Sequence, residues 1–204
     1  MANKSDKPSE VIVKSLTVQI AEPAALGLFG LAVAALILGA ADAGLTSGVS
    51  KSLMIPWVLF FGATAQLIAS LMDFKRNNIF GATVFCVYAM TMFSIALTLF
   101  ITQFTDIQID IAHYAYGLIA ILIFSLIATI ASCMINKLLF AILIAVDLAV
   151  IFLIPHYLLG YPALPAGIFL LCTSALSFYS AAAILINNVA GKTILPMGKA
   201  MWVP

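Results

Sequence analysis

Six long runs of apolar residues dominate this sequence, and each is bounded by charged residues or by Gly, Pro and Asn. The runs cover residues 24–45, 53–74, 79–102, 111–135, 138–160 and 163–190. A helix needs about 20 apolar residues to cross the hydrocarbon core of a bilayer, so each run is long enough. Because 64% of the residues are hydrophobic and only 8% are charged, a water-soluble fold is excluded. The sequence predicts an all-α polytopic membrane protein with six transmembrane helices in a compact bundle.

The segments that connect the runs are short, as in "KRNN" at 75–78 and "INK" at 135–137. Short connections make consecutive helices antiparallel neighbours. We therefore expect a single transmembrane domain over residues 21–191. The polar residues 1–20 and 192–204 are predicted to form cytoplasmic tails.

Positive charge is distributed unevenly among the tails and connections. Eight of the nine Lys and Arg residues lie in the two tails or in the second and fourth connections, whereas Lys51 alone lies on the opposite side. Connections rich in Lys and Arg stay on the cytoplasmic side of a membrane. This asymmetry predicts a multi-pass protein of the cell membrane with both termini in the cytoplasm.

Two polar residues lie deep inside the apolar runs, where an unpaired polar group is costly. Gln66 lies midway along the second run, and its amide either joins two helices by a hydrogen bond or lines a polar pathway. Asp147 is the one carboxylate well inside a run. It must face protein or water, or carry a proton, so a structural partner and a role as a proton site both remain open.

The sixth run contains Thr173, Ser177, Ser180 and Asn187 at spacings that place them along one helix face. Such a face either lines a hydrated pathway or lets neighbouring helices approach closely and exchange hydrogen bonds. Both interpretations stay open for Thr173 and Ser177.

The runs contain no Lys or Arg that would bind an anion tightly. Dipoles, amides and hydroxyls would then have to carry a permeant anion, which favours loose binding and easy release. No nucleophile, base and orienting group occur at a recognisable spacing, so an enzyme is not expected. The pattern also indicates no metal site, no cofactor and no nucleic-acid partner.

The stretch "AEPAALGLFG" at 21–30 opens the first run. Proline is favoured in the first turn of a helix, so Pro23 is expected to start one at the membrane. The next N–H groups, those of Ala24, Ala25 and Leu26, would point outward with partial positive charge and attract a small carboxylate. Gly27 and Gly30 would give this helix a thin face, against which another helix or a permeant molecule could lie.

Three motifs, "EPAALGL" at 22–28, "GATAQLIASLMDFKRNNIFG" at 62–81 and "GKTILPMG" at 191–198, together resemble the acetate uptake transporters. This family includes the bacterial succinate-acetate permeases and their fungal relatives. The resemblance implies six transmembrane helices with cytoplasmic termini, assembly as a homohexamer in the lipid bilayer, and a separate pathway in each protomer. It also implies acetate as the substrate, often with succinate or other small carboxylates.

The resemblance further implies roles for particular residues. The family's amino-terminal signature, which helps to form the substrate route, falls on Glu22, Pro23, Ala24, Ala25, Leu26, Gly27 and Leu28. Its narrow hydrophobic constriction falls on Leu31, Tyr88 and either Ile144 or Ala145. The chain departs from the family pattern with Glu22 in place of Asn, Ala25 in place of Pro, and an aliphatic Leu31 where an aromatic residue is common.

These observations lead to one favoured function and two alternatives. We expect a transporter or channel for acetate and related small carboxylates, with Asp147, or Glu22 nearer the mouth, as the candidate proton site. The alternatives are a pathway for another small solute such as ammonia, and a membrane scaffold that transports nothing.

Overall fold

A computed structural model describes residues 20–47 and 50–203. The described chain forms six helices that are long and apolar enough to cross a membrane. They are α1 (Ala24–Asp42), α2 (Met54–Lys75), α3 (Ile79–Phe104), α4 (Ala112–Ser132), α5 (Lys137–Leu159) and α6 (Leu164–Ala190). The predicted fold class is therefore confirmed. The largest differences from the predicted bounds are at the ends of α1 and α4, which stop at Asp42 and Ser132 and not at residues 45 and 135.

The helices run antiparallel, so that α1 begins and α6 ends at the same end of the bundle, here called the terminal end. The other end is called the distal end. At the distal end, Asp42 at the end of α1 lies beside Gly167 at the start of α6. At the terminal end, Glu22 just before α1 pairs with Arg76 just after α2. Residues 1–19, which include most of the predicted amino-terminal tail, lie outside the described residues.

Small residues let α1 pack closely against its neighbours. A Cβ atom on Gly167 would lie 2.3 Å from the backbone nitrogen of Ala43, and one on Gly30 would lie 2.4 Å from the carbonyl oxygen of Phe61 in α2. A Cβ atom on Gly27 would lie 2.6 Å from the ring of Phe85. At Gly30 and Gly27, the thin face of α1 therefore packs against α2 and α3.

The middle of α2 is wound more loosely than an α-helix. Residues Val58–Ala65 form a π-helical segment, in which the Thr64 hydroxyl donates to the Leu59 carbonyl oxygen at 2.9 Å. A π-helical segment displaces side chains relative to the regular helix and is frequent at functional sites. Gln66, the polar residue of the second run, follows this segment directly.

The residues after α6 are hydrogen-bonded to the ends of the helices. The Asn187 side chain accepts from the backbone N–H groups of Ile194 and Leu195 at 2.7 and 2.9 Å. Further along, the backbone of Met201 donates to the carbonyl oxygen of Cys133 at 2.8 Å. Asn187 therefore holds the carboxy-terminal segment and does not extend the polar face of α6 into the bundle.

Candidate functional site

Two cavities lie end to end inside the bundle. The terminal cavity, of about 320 Å³, is lined by the start of α1, the middle and end of α2, and parts of α3, α5 and α6. The distal cavity, of about 210 Å³, extends toward the distal ends of the helices. Leu31 and Tyr88 line both cavities. These two side chains therefore mark the boundary between the cavities, here called the neck.

The neck is built from large side chains of several helices. Leu31 and Tyr88 are both buried, and the Tyr88 ring meets the ring of Phe124 edge to face with centroids 5.7 Å apart. On α5, Leu143 lines the terminal cavity and Val146 lines the distal cavity.

The third neck position differs from the sequence-based assignment. Ile144 has 38% of its surface exposed, and neither Ile144 nor Ala145 lines either cavity. Leu143 and Val146, on either side of them, do. These two residues are three apart and so share a helix face, whereas Ile144 is turned by about 100° from Leu143, because an α-helix has 3.6 residues per turn.

Gln66 lines the terminal cavity and is fully buried. Its amide nitrogen donates to the Gly62 carbonyl oxygen at 2.6 Å. Its amide oxygen has no hydrogen-bond partner among the described residues. A buried carbonyl oxygen without a donor is costly, so this oxygen is available to water or to a donor group on a solute.

The mouth of the terminal cavity carries three charged side chains. Glu22 pairs with Arg76 at 2.7 Å between Oε2 and Nη2, and Asp73 lies 3.6 Å from Arg76 between Oδ1 and Nη1. The hydrogen bond from Arg76 lowers the pKa of Glu22 below its usual value, against the opposing effect of partial burial. Glu22 is therefore ionised and paired with Arg76.

The start of α1 is arranged differently from the expectation. Pro23 immediately precedes the first helical residue, but the N–H of Ala24 donates to the Glu22 carboxylate at 3.2 Å. One of the three N–H groups predicted to attract a substrate, that of Ala24, is thus already paired with a carboxylate of the chain itself. Of the signature residues, Glu22, Ala24 and Leu28 line the terminal cavity, whereas the Leu26 side chain has 43% of its surface exposed and lines neither cavity.

Asp73 is placed by a glycine on the next helix. Its side chain is fully buried, and a Cβ atom on Gly81 would lie 1.9 Å from Asp73 Oδ2. Any larger residue at position 81 would therefore displace the carboxylate. No role for Gly81 was predicted from the sequence, although Gly81 is the last residue of the motif "GATAQLIASLMDFKRNNIFG" at 62–81.

The mouth of the distal cavity also carries an ion pair. Lys51 Nζ lies 3.5 Å from Asp42 Oδ1, and both residues line the cavity. Thr173 lines the same cavity, but its hydroxyl donates to the Phe169 carbonyl oxygen of its own helix at 2.9 Å. Both cavities therefore have a cation paired with a carboxylate at the mouth and a mainly apolar wall.

Ser177 lies between the two cavities on α6. Thr173 lines the distal cavity and Ser180 the terminal cavity, but Ser177 lines neither. It is fully buried, and its hydroxyl has no hydrogen-bond partner in the described part of the chain. The polar face of α6 thus extends from the distal cavity at Thr173 to the terminal cavity at Ser180, and Ser177 is buried between them.

Asp147 is buried behind the neck and does not line either cavity. Its Oδ1 accepts a hydrogen bond from Ser125, and its Oδ2 accepts one from Thr129 at 2.7 Å. The Ser125 oxygen is also 2.7 Å from the hydroxyl of Tyr88. Sequence reasoning singled out Asp147 but missed Ser125 and Thr129, because two hydroxyl residues in an apolar helix do not reveal which way they face.

The described residues contain no group of three or more His, Cys, Asp or Glu side chains that could hold a metal ion. Both histidines are near helix ends. His113 pairs with Asp110 at the distal end of α4, and the ring of His156 contacts the Tyr161 carbonyl oxygen at 2.6 Å.

Comparisons with known proteins agree with this architecture. The sequence profile of the GPR1/FUN34/yaaH family matches residues 6–199. An uncharacterised protein of Methanothermobacter thermautotrophicus is 27% identical over 208 residues, covering 93% of this chain and 96% of its own length. The succinate-acetate/proton symporter SatP of Escherichia coli K12 is 26% identical over 195 residues, covering 89% of this chain and 97% of its own length.

A solved structure of the bacterial acetate channel SatP has the same fold. It superposes with a TM-score of 0.81 at 23% sequence identity, and the superposition covers 88% of this chain and 100% of the SatP chain. The fold is therefore shared over the whole of that SatP chain.

Proposed function

The chain belongs to the GPR1/FUN34/yaaH family, and from this premise we propose that it conducts acetate and related small carboxylates, including succinate, across the cell membrane. It is proposed to be a transport protein and not an enzyme. One relative of similar length carries the name succinate-acetate/proton symporter. The observation that carries the proposal is the neck, where Leu31 and Tyr88 separate two cavities that extend toward opposite ends of a membrane-spanning bundle.

The chemistry of the substrate explains why a protein pathway is needed. A carboxylic acid with a pKa near about 4.3 is only roughly 0.2% neutral at pH 7, and its anion does not cross lipid unaided. In the proposed route, the anion meets Arg76 or Lys51 at a mouth and loses water among the amides and hydroxyls of the cavity. It then passes the apolar neck. Because each mouth cation is already paired with a carboxylate, binding there is weak enough to permit release.

Proton coupling is part of the proposal, with Asp147 as the proton site. Within residues 20–47 and 50–203 it is the one carboxylate buried behind the neck, and its two oxygens accept hydrogen bonds from hydroxyl groups. Glu22 is less suited to this role, because Arg76 lowers its pKa and keeps it ionised.

We further propose that both termini are cytoplasmic and that six copies assemble into a homohexamer. The mass of the detergent-solubilised particle would test the homohexamer.

A second candidate function is the passage of a neutral hydrogen-bond donor such as ammonia. One observation favours it: the free oxygen of Gln66 in the terminal cavity is an acceptor and lies near the carboxylate-rich mouth. Ammonia can donate to such an oxygen, whereas an acetate anion cannot. Competition separates the candidates, because an ammonia pathway would not be slowed by excess acetate.

Uptake of labelled acetate into proteoliposomes, with protein-free liposomes as the background, tests the primary proposal. We expect uptake above background, saturation by unlabelled acetate or succinate, and acceleration by an inwardly directed proton gradient. Uptake that is saturable but insensitive to the gradient would indicate a channel without proton coupling. Uptake equal to that of protein-free liposomes would overturn the proposal.

A further inference from the structure

A chain of hydrogen bonds joins the neck to Asp147. The Tyr88 hydroxyl lies 2.7 Å from Ser125 Oγ, and Ser125 in turn contacts Asp147. The chain crosses three helices, because Tyr88 is on α3, Ser125 on α4 and Asp147 on α5. Of the three residues in this hydrogen-bond chain, Tyr88 alone also lines both cavities. A change in the protonation state of Asp147 can therefore alter the hydrogen bonding of Tyr88 at the neck through the hydroxyl group of Ser125.

The direction of this chain is determined by the charge of Asp147. An ionised carboxylate can only accept hydrogen bonds, and a serine hydroxyl has a single hydrogen to donate. When Asp147 is ionised, the Ser125 hydroxyl donates its hydrogen to Asp147 and can only accept a hydrogen bond from Tyr88. The single hydroxyl hydrogen of Tyr88 is then committed to Ser125. In this state, Tyr88 offers no donor to an anion in the neck.

When Asp147 is protonated, the donors and acceptors of this hydrogen-bond chain can exchange roles. A neutral carboxyl group has an O–H that can donate to Ser125. Ser125 then donates to the Tyr88 oxygen, and the hydroxyl hydrogen of Tyr88 is released. A hydrogen bond from a hydroxyl to a carboxylate is charge-assisted and therefore strong, so the released hydrogen would hold a carboxylate at the narrowest part of the route.

We propose that Ser125 is a positioning residue that relays the protonation state of Asp147 to Tyr88, so that the neck offers a hydrogen-bond donor to the substrate carboxylate only when Asp147 is protonated. This inference rests on the proposed function and specifies how a proton promotes passage of an anion. The two states differ by one proton on Asp147. Reversal of the hydrogen bonds requires only rotation of the Ser125 and Tyr88 hydroxyl groups, which moves no other proton between heavy atoms. The proton comes from the aqueous phase and forms the O–H bond of the neutral carboxyl group, and no other covalent bond forms or breaks.

Other ionisable groups lie on the helices around Asp147. Tyr88 of α3 contacts Ser125, and the thiol of Cys133, which directly follows α4, donates to the Thr129 carbonyl oxygen at 3.7 Å. On α4, His113, Tyr114 and Tyr116 lie nine or more residues before Ser125, which is more than about 13 Å along the helix axis. On α6, Cys172 is exposed and the Tyr179 hydroxyl donates to the Pro196 carbonyl oxygen. Thr129 is the other hydroxyl on Asp147, and it competes with Ser125 for the proton of the neutral acid.

The experiment compares the pH dependence of acetate uptake in wild type, Ser125→Ala and Tyr88→Phe, in proteoliposomes from about pH 5 to about pH 8. Both variants remove the relay but keep Asp147. We expect uptake at low pH to fall by about tenfold in each, which corresponds to the loss of one hydrogen bond of about 1.4 kcal/mol. At high pH, where the relay is inactive, Ser125→Ala, whose altered side chain lines neither cavity, should match wild type within about twofold.

Thr129→Val is the matched control, because it also removes one hydroxyl from Asp147 but leaves the path to Tyr88 intact. Loss of a donor to the ionised carboxylate favours its protonated form. We therefore expect the uptake profile of Thr129→Val to move to higher pH with its low-pH maximum retained. An equal loss of the low-pH maximum in Thr129→Val and Ser125→Ala would overturn the relay.

The double variant Tyr88→Phe with Ser125→Ala gives a second criterion. If both residues act in one chain, the double variant should lose no more low-pH uptake than either single variant, because effects within one network are not additive. Losses that multiply, to about a hundredfold, would contradict the proposal.

Infrared difference spectra between acidic and basic pH provide a readout that does not depend on transport. We expect the carbonyl band of a protonated carboxylic acid to appear on acidification of wild type and Ser125→Ala, and to be missing in Asp147→Asn. If the band does not depend on Asp147, the inference fails even where acetate uptake is normal. If wild type takes up no acetate but shows the band, the proposed function fails and the protonation of Asp147 still stands.

Discussion

The charged residues at the mouths are arranged as pairs. Arg76 is paired with Glu22 and lies near Asp73, and Lys51 is paired with Asp42. Partly exposed ion pairs of this kind contribute only about 0–1 kcal/mol, so an arriving carboxylate can compete for the cation at little cost. Because Arg76 lowers the pKa of Glu22, this pair persists as the pH falls to values at which an ordinary glutamate becomes neutral. We therefore expect an anion that reaches Arg76 or Lys51 to be bound loosely and released.

The neck residue Leu31 is expected to limit the size of the substrate. Leu31→Ala removes a buried side chain that lines both cavities, so larger monocarboxylates such as butyrate should compete with acetate for uptake several-fold better than in wild type. The measurement is inhibition of labelled acetate uptake by a series of acids of increasing length.

Leu26→Ala serves as the control for Leu31→Ala. It makes the same change on the same helix at a side chain that lines neither cavity, and its inhibition series should match wild type. If the two variants have the same series, Leu31 does not set the size limit.

At the scale of the helices, close packing depends on positions where a side chain has no room. At Gly167 the nearest atoms are backbone atoms at the end of α1, which cannot move as a flexible side chain can. The Ser174 hydroxyl reinforces the same contact by donating to the Ala32 carbonyl oxygen at 2.8 Å. Without a hydrophobic driving force between helices in lipid, such packing and hydrogen bonds hold the bundle together. The closely packed helices α1 and α6 each contribute residues to the lining of both cavities.

Gly167→Ala should destabilise the bundle. Overpacking of this kind costs about 1–3 kcal/mol. The backbone that must shift includes Asp42, whose side chain lies at the distal mouth. Thermal unfolding in detergent should show a lower midpoint than wild type. Gly117→Ala on α4 is the matched control, since a Cβ atom there would contact nothing within 4 Å. Its midpoint should stay equal or rise, because alanine is the better helix former; equal losses in both variants would reject the packing argument.

At the scale of the whole molecule, the polarity of the bundle in the membrane remains a prediction. The terminal end of the structure carries Lys75, Arg76 and Lys137, whereas the distal end carries Lys51 together with Asp42, Asp106 and Asp110. Because cytoplasmic connections are enriched in Lys and Arg, the terminal end is expected to face the cytoplasm. Substrate entering the cell would then pass Lys51 first and Arg76 last.

Labelling by a membrane-impermeant thiol reagent tests this orientation in whole cells. In a variant without its native cysteines, Cys introduced at Asp106 in the distal connection should react from outside. Cys introduced at Asn77, in the connection between α2 and α3 at the terminal end, should react only after the membrane is permeabilised. The reverse pattern would place both termini outside.

The six spans, their approximate bounds and the family could be predicted from the sequence, because span length, hydropathy and short motifs are local properties of the chain. The residues that face the route could be predicted only in part. Leu31 and Tyr88 were named through the resemblance, whereas Leu143 and Val146 took the places assigned to Ile144 and Ala145. A helix that is apolar on every side has no polar face to indicate its rotation, so only the packed structure decides which residues turn inward. For the same reason, only the tertiary structure brings Ser125 and Thr129 of one helix to Asp147 of the next.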